Sequence, residues 1–208
     1  MKQKLVILGA GESGVGTAIL GKQQGYDVFV SDYGAIKDNY AQVLSSNHIN
    51  WEDKGHTVSQ IISADVVVKS PGIPDVAPII ASLKLAGVQV ISEIEFAAQF
   101  TDAIIVAITG SNGKTSTASL TYALLKDDLN VALGGNIGDS FAAQVASPDY
   151  KNYVLELSSF QLDGIEKFAP HIAVLTNLSP DHLDRYENSY QKYICLLYTS
   201  PSPRDTFE

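Results

Sequence analysis

The chain has 208 residues, 45% of them hydrophobic and 18% charged, a globular composition with room for one large or two small domains. With 23 acidic against 14 basic residues the formal charge is -9, so any phosphate recognition must come from local loops, and a nucleic-acid partner is not expected. One cysteine excludes an intrachain disulfide framework, and no apolar run reaches the roughly eighteen residues of a spanning helix, so a cytoplasmic protein with no membrane partner is expected.

Residues 4–8 are a continuous apolar run that predicts a strand, and Gly9-Ala10-Gly11-Glu12-Ser13-Gly14 after it matches G-x-G-x-x-G. A helix is predicted over 15–24, capped by Gly25, then a strand over 27–31 with Asp32 at its end. This is the opening of a Rossmann-type βαβ unit, in which a diphosphate meets the helix N-terminus and the acidic residue accepts hydrogen bonds from a ribose or base edge. The motif fixes a diphosphate better than it fixes NAD or FAD, and a tight turn without ligand is the plain structural alternative.

Helix spacing follows over 36–45, and strands are predicted over 48–51 and 65–69. The loop Ser70-Pro71-Gly72-Ile73-Pro74 comes next, where the prolines stop any helix; in a parallel sheet it lies beside the first glycine loop. A helix over 76–86 capped by Gly87 and a strand over 88–91 follow. A helix begun by Ser92, with Glu95 at the capping-box position, completes a small α/β unit ending near residues 100–102.

The second unit opens with an apolar strand over 103–108, then Thr109-Gly110-Ser111-Asn112-Gly113-Lys114-Thr115-Ser116, then helical spacing over 117–126. Strand, glycine loop, Gly-Lys-Thr and helix are the layout of a phosphate-binding loop, with Lys114 on the β- and γ-phosphates and the Thr115 hydroxyl on Mg²⁺. The loop is a variant: the position five residues before Gly113 is Ile108, and Gly110 supplies the second glycine. Gly110, Ser111, Asn112, Gly113, Lys114, Thr115 and Ser116 are the candidate ATP site. A strand over 130–133 runs into Gly134-Gly135-Asn136-Ile137-Gly138, where Asn136 offers donors and an acceptor to a ligand or to its own turn.

Glu156 emerges near the carboxyl end of a strand over 152–157, the usual place for a Mg²⁺ ligand in such a domain; a structural pairing is the alternative. A last strand, over 171–178, leads to Ser179-Pro180-Asp181-His182-Leu183-Asp184-Arg185-Tyr186. There His182 suits a metal or a charged substrate.

Four motifs in order resemble the Mur ligase family: the phosphate loop, Gly135-Asn136-Ile137-Gly138, Glu156-Leu157-Ser158-Ser159-Phe160-Gln161-Leu162, and Asn177 through Asp181-His182-Leu183-Asp184-Arg185-Tyr186. The resemblance covers residues 1 to about 193 and favours the members that join D-glutamate to UDP-N-acetylmuramoyl-L-alanine. It implies an α/β fold, with a Rossmann-like domain for the UDP substrate over 1–100. The first part of a P-loop-type ATPase domain follows over 101–194, and the family's C-terminal domain is absent. A UDP diphosphate rather than NAD is then implied at the first glycine loop. Glu12 and Ser13 fall at the diphosphate, Asp32 and Tyr33 at the uracil, and Ser70, Pro71 and Gly72 near the nucleotide.

The cofactors implied are ATP and Mg²⁺. Lys114 and His182 carry the catalytic roles, Thr115, Glu156 and His182 the metal contacts, and Asn136, Ser158 and Gln161 face the muramoyl substrate. The chemistry implied is attack of the substrate carboxylate on the γ-phosphate of ATP to give an acyl phosphate. The D-glutamate amine then displaces phosphate, in cytoplasmic peptidoglycan precursor synthesis by a monomer.

Two departures accompany the resemblance. Leu197 stands where the family has a Lys that becomes carbamylated and helps hold a second Mg²⁺. Residues 195–208 look like translated sequencing-adapter sequence and are expected not to be native, and the chain alone is expected to be inactive. Three other readings compete: a Mur ligase for another amino acid, a non-catalytic nucleotide-binding module, and a nicotinamide-dependent dehydrogenase. The last has no use for Gly113-Lys114-Thr115.

Overall fold

The computed structural model describes residues 2–147, 149–181 and 183–199. Two parallel sheets follow one another along the chain. The first contains β1 (Lys4–Leu8), β2 (Asp27–Ser31), β3 (Asn50–Glu52), β4 (Val66–Lys69) and β5 (Gln89–Ile91), in the order β3-β2-β1-β4-β5. Leu5, Val6, Ile7 and Leu8 are all fully buried, because a central parallel strand is covered on both faces. Helices α1 (Glu12–Gln23), α2 (Asp38–Ser46), α3 (Val58–Ile61), α4 (Pro78–Ala86) and α5 (Glu93–Ala98) alternate with the strands. Strand order reverses between β1 and β4, so the loops leaving their carboxyl ends part and open a crevice.

The second sheet contains β6 (Ile104–Thr109), β7 (Val131–Gly135), β8 (Asn152–Glu156) and β9 (Ile172–Leu175), in the order β7-β8-β6-β9. Its helices are α6 (Lys114–Leu125), α7 (Phe141–Ala146), α8 (Ser159–Leu162) and α9 (Tyr190–Thr199), with a 3-10 turn at Leu183–Tyr186. Because β6 lies between β8 and β9, the loops leaving all three strands meet at one end of the sheet.

One core serves both sheets. It runs from Leu5 and Ile7 through Phe96 to Phe141 and Tyr153. Gly16 sets the approach of α1 to α7, since a Cβ there would run into Ser140 Oγ and the Ala143 backbone. Glu93 is buried in this seam, and its Oε1 accepts from Ser140 Oγ at 2.6 Å and from Ala142 N at 3.0 Å. Burial pushes the Glu93 carboxyl above its ordinary value; the bonds from Ser140 and Ala142 oppose the shift and neighbouring Glu12 adds to it.

The predicted strands lie within about two residues of those observed, except that the last, predicted to residue 178, ends at Leu175. The strand predicted from residue 48 begins at Asn50, because His48 takes a left-handed φ of 53° as the chain leaves α2. α1 and α6 each begin three residues earlier than predicted, at Glu12 and Lys114, which brings their N-termini up to the two glycine loops. Ser92 does cap α5, accepting from Glu95 N at 3.2 Å. The Glu95 carboxylate does not close a capping box. Its Oε2 accepts from the backbone of Glu166, Lys167 and Phe168 at 3.0, 3.0 and 2.8 Å, and three bonds to a carboxylate outweigh the single bond back to the cap.

Candidate functional site

Ser13, Asp32, Tyr33, Ser70, Pro71 and Gly72 line one cavity of about 680 Å³ in the crevice between β1 and β4. The N-terminus of α1 opens there, and its free amides suit a diphosphate. Asp32 ties the glycine loop to the end of β2: Oδ2 accepts from Ala10 N at 2.7 Å and Oδ1 from Gly34 N at 2.8 Å. That tie leaves Tyr33 at the tip, 79% exposed. Glu12 does not line the cavity. Its carboxylate accepts from Ser140 N at 3.1 Å across the seam. His56 lines the cavity as well, and nothing in the sequence beyond its place after a short strand marks it.

The phosphate loop is held from the side by the segment after β9. Ser111 Oγ donates to Ser179 O at 2.7 Å, Asn112 N donates to Asn177 Oδ1 at 3.0 Å, and Asn177 Nδ2 donates to Asn112 O at 2.7 Å. Tyr193 OH, on α9, lies 3.0 Å from Ser111 Oγ. This packing explains the variant glycine. Gly110 has φ of +136°, and a Cβ there would strike Thr176 Oγ1 and crowd the Asn177 backbone. Ser111 and Asn112 thus build the loop, while Gly113, Lys114, Thr115 and Ser116 carry it into α6, whose first amides have no intrahelical acceptor. Lys114 Nζ donates to Gly110 O at 2.8 Å and Ser111 O at 2.9 Å, which holds the ammonium over the loop.

Glu156 ends β8 beside this loop and is 1% exposed. Its Oε2 accepts from Thr115 Oγ1 at 2.8 Å and its Oε1 from Asn136 Nδ2 at 2.8 Å. No Lys or Arg ion pair with it is found among the described residues. A buried carboxylate with two neutral donors, one of them a hydroxyl, is a fit for a divalent cation. Among the described residues no three His, Cys, Asp or Glu side chains gather into a metal cluster. One carboxylate with a hydroxyl alongside fits Mg²⁺, which takes one or two carboxylates and fills its shell with phosphate oxygens and water.

Ser158 and Gln161 bond to each other: Ser158 N and Oγ donate to Gln161 Oε1 at 3.0 and 3.1 Å, at the start of α8. His182 lies outside the described residues. Arg185, after it, reaches the rim of the first cavity, donating to Pro71 O at 3.2 Å and Gly72 O at 3.4 Å with its guanidinium 4.3 Å from the Phe160 ring centre. Leu197 is buried in the core and offers no ligand.

The MurD N-terminal domain model matches residues 4–78, and the Mur ligase middle domain model matches residues 108–195. The chain belongs to the Mur ligase family. The first matched stretch holds the crevice loops and the second the phosphate loop with Glu156. The UDP-N-acetylmuramoylalanine--D-glutamate ligase of Christiangramia forsetii is 60% identical over 195 residues, which are 93% of this chain and 44% of that protein. The ligase of the same name from Bacteroides thetaiotaomicron is 57% identical over 193 residues, 92% of this chain and 44% of that protein. The chain therefore spans less than half the length of these Mur ligases.

Among solved structures, a UDP-N-acetylmuramate:L-alanyl-gamma-D-glutamyl-meso-diaminopimelate ligase from Neisseria meningitides superposes with a TM-score of 0.61 at 21% identity, covering 97% of this chain and 69% of that one. A UDP-N-acetylmuramate-alanine ligase from Thermotoga maritima gives 0.57 at 21% identity, covering 95% and 47%. At that identity the likeness is one of fold, the Mur ligase arrangement of a Rossmann-like sheet followed by a second parallel sheet.

Proposed function

We propose that the chain supplies the UDP-substrate site and the ATP site of a ligase joining D-glutamate to UDP-N-acetylmuramoyl-L-alanine. In this reading ATP activates the substrate carboxylate as an acyl phosphate, in the cytoplasm and in a monomer. One observation carries it: two glycine loops at helix N-termini stand on one core, and only the second has a lysine, a threonine and a buried carboxylate. The high identity to two ligases named for D-glutamate supports that amino acid over others used in the family. No helix among the described residues is long and apolar enough to cross a membrane.

The α6 amides and Lys114 would bind the triphosphate, with Lys114 placed by the Gly110 and Ser111 carbonyls. Thr115 and Glu156 would hold Mg²⁺, which when bound offsets charge on the phosphates. Asn136 keeps one Glu156 oxygen engaged and so orients the other toward Thr115. In the crevice, Ser13 and the glycine loop would take the UDP diphosphate, and Asp32, Tyr33 and the Ser70-Pro71-Gly72 loop would frame the nucleotide.

Calorimetric titration of the chain tests the reading. Saturable binding of UDP-N-acetylmuramoyl-L-alanine and of Mg·ATP, with none of NADH, is the expected result. Saturable NADH binding without the UDP substrate would return the first sheet to a dehydrogenase.

A further inference from the structure

His56 sits in the turn after β3 and lines the crevice together with Tyr33, the two ring centroids 5.8 Å apart. Its Nδ1 is 2.7 Å from Ser31 Oγ, a fully buried hydroxyl at the end of β2 that also lies 2.7 Å from Glu52 Oε1. Counting protons fixes the direction of these bonds. Glu52 accepts from Thr57 N at 2.8 Å and Thr57 Oγ1 at 2.6 Å as well. Burial raises the Glu52 carboxyl, but the bonds from Ser31 and Thr57 oppose it and the group is held below its ordinary value. A carboxylate can only accept, so the single Ser31 proton goes to Glu52, and Ser31 Oγ is left to accept from His56 Nδ1–H. The neutral ring then carries its lone pair on Nε2, on the edge turned away from Ser31. That nitrogen has no hydrogen-bond partner among the described residues.

The fold decides what meets it. A diphosphate at the α1 N-terminus and a ribose at the end of β2 would carry the base further, over the ends of β2 and β3 where Tyr33 and His56 stand. Resting on the UDP-substrate reading above, the geometry points to His56 as a specificity residue of that site: Nε2 accepts the N3–H of uracil, and the Ser31–Glu52 pair fixes the tautomer able to do so. Cytosine presents an acceptor at N3, which would set two lone pairs against each other.

The test is calorimetric titration of the chain with UDP, CDP and 3-methyluridine 5′-diphosphate, for wild type, His56→Leu and Ser31→Ala. Wild type is expected to prefer UDP over both analogues by about tenfold, the worth of one lost hydrogen bond, and His56→Leu to bind all three within about twofold. Ser31→Ala should narrow the preference while keeping UDP binding. If His56→Leu keeps the wild-type preference, or wild type shows none, the role of His56 is overturned and the uridine site stands. If wild type binds no UDP, both readings fall. Nitrogen NMR of the wild-type imidazole gives a check that needs no variant: the Nε2 resonance should move with UDP and stay in place with the methylated analogue, and movement with both overturns the assignment.

Discussion

A carboxylate buried as deeply as Glu156 is costly without donors or a cation around it, and Thr115 Oγ1 and Asn136 Nδ2 leave lone pairs to spare. Glu156→Gln removes the charge at nearly constant shape, so Mg·ATP affinity should drop by about tenfold or more while UDP binding stays within about twofold. Titration of the variant with each ligand reads both numbers. Lys114→Ala should give the same separation through loss of a charge-assisted contact, about 2 kcal/mol on the ATP side. Retention of wild-type ATP affinity in Lys114→Ala would remove the phosphate-loop assignment. At this scale the sequence displays the chemistry but not the partners. Gly113-Lys114-Thr115 announces a phosphate site because its spacing is local, whereas the turn of Glu12 to Ser140, and of Ser158 and Gln161 to each other, depends on what folding brings alongside.

Among the elements, β1, β2 and β8 were readable because a buried parallel strand is an unbroken apolar run. α7 and α8, six and four residues long, carry too few turns for any period to show, although α7 forms the seam with the first sheet. The Ser92 cap was legible and the Glu95 bonds were not, since their partners lie 71 to 73 residues away. Glu95→Ala strands three backbone amides at once. Only the Phe168 amide is fully buried, those of Glu166 and Lys167 lying within reach of water, so the variant should lose about 1–3 kcal/mol, read as a lowered denaturant midpoint.

In the molecule as a whole, Glu93 links stability to pH. A carboxyl that holds its proton more tightly when folded than when unfolded stabilises the fold where it is protonated. That contribution disappears as pH rises from the ordinary carboxylate value through the raised one. Glu93→Gln keeps an acceptor for Ser140 Oγ and Ala142 N without the titration. Its unfolding free energy should therefore fall less steeply than that of wild type across that interval, and equal slopes in denaturant melts at a series of pH values would rule out the linkage.

The shared core also bears on synthesis. The faces of α1 and α5 that pack on α7 are covered by residues translated only after the whole first sheet has left the ribosome. A nascent chain halted before Phe141 would hold a sheet with its strands paired and one flank bare to chaperones, so birth order makes the second half a folding partner of the first.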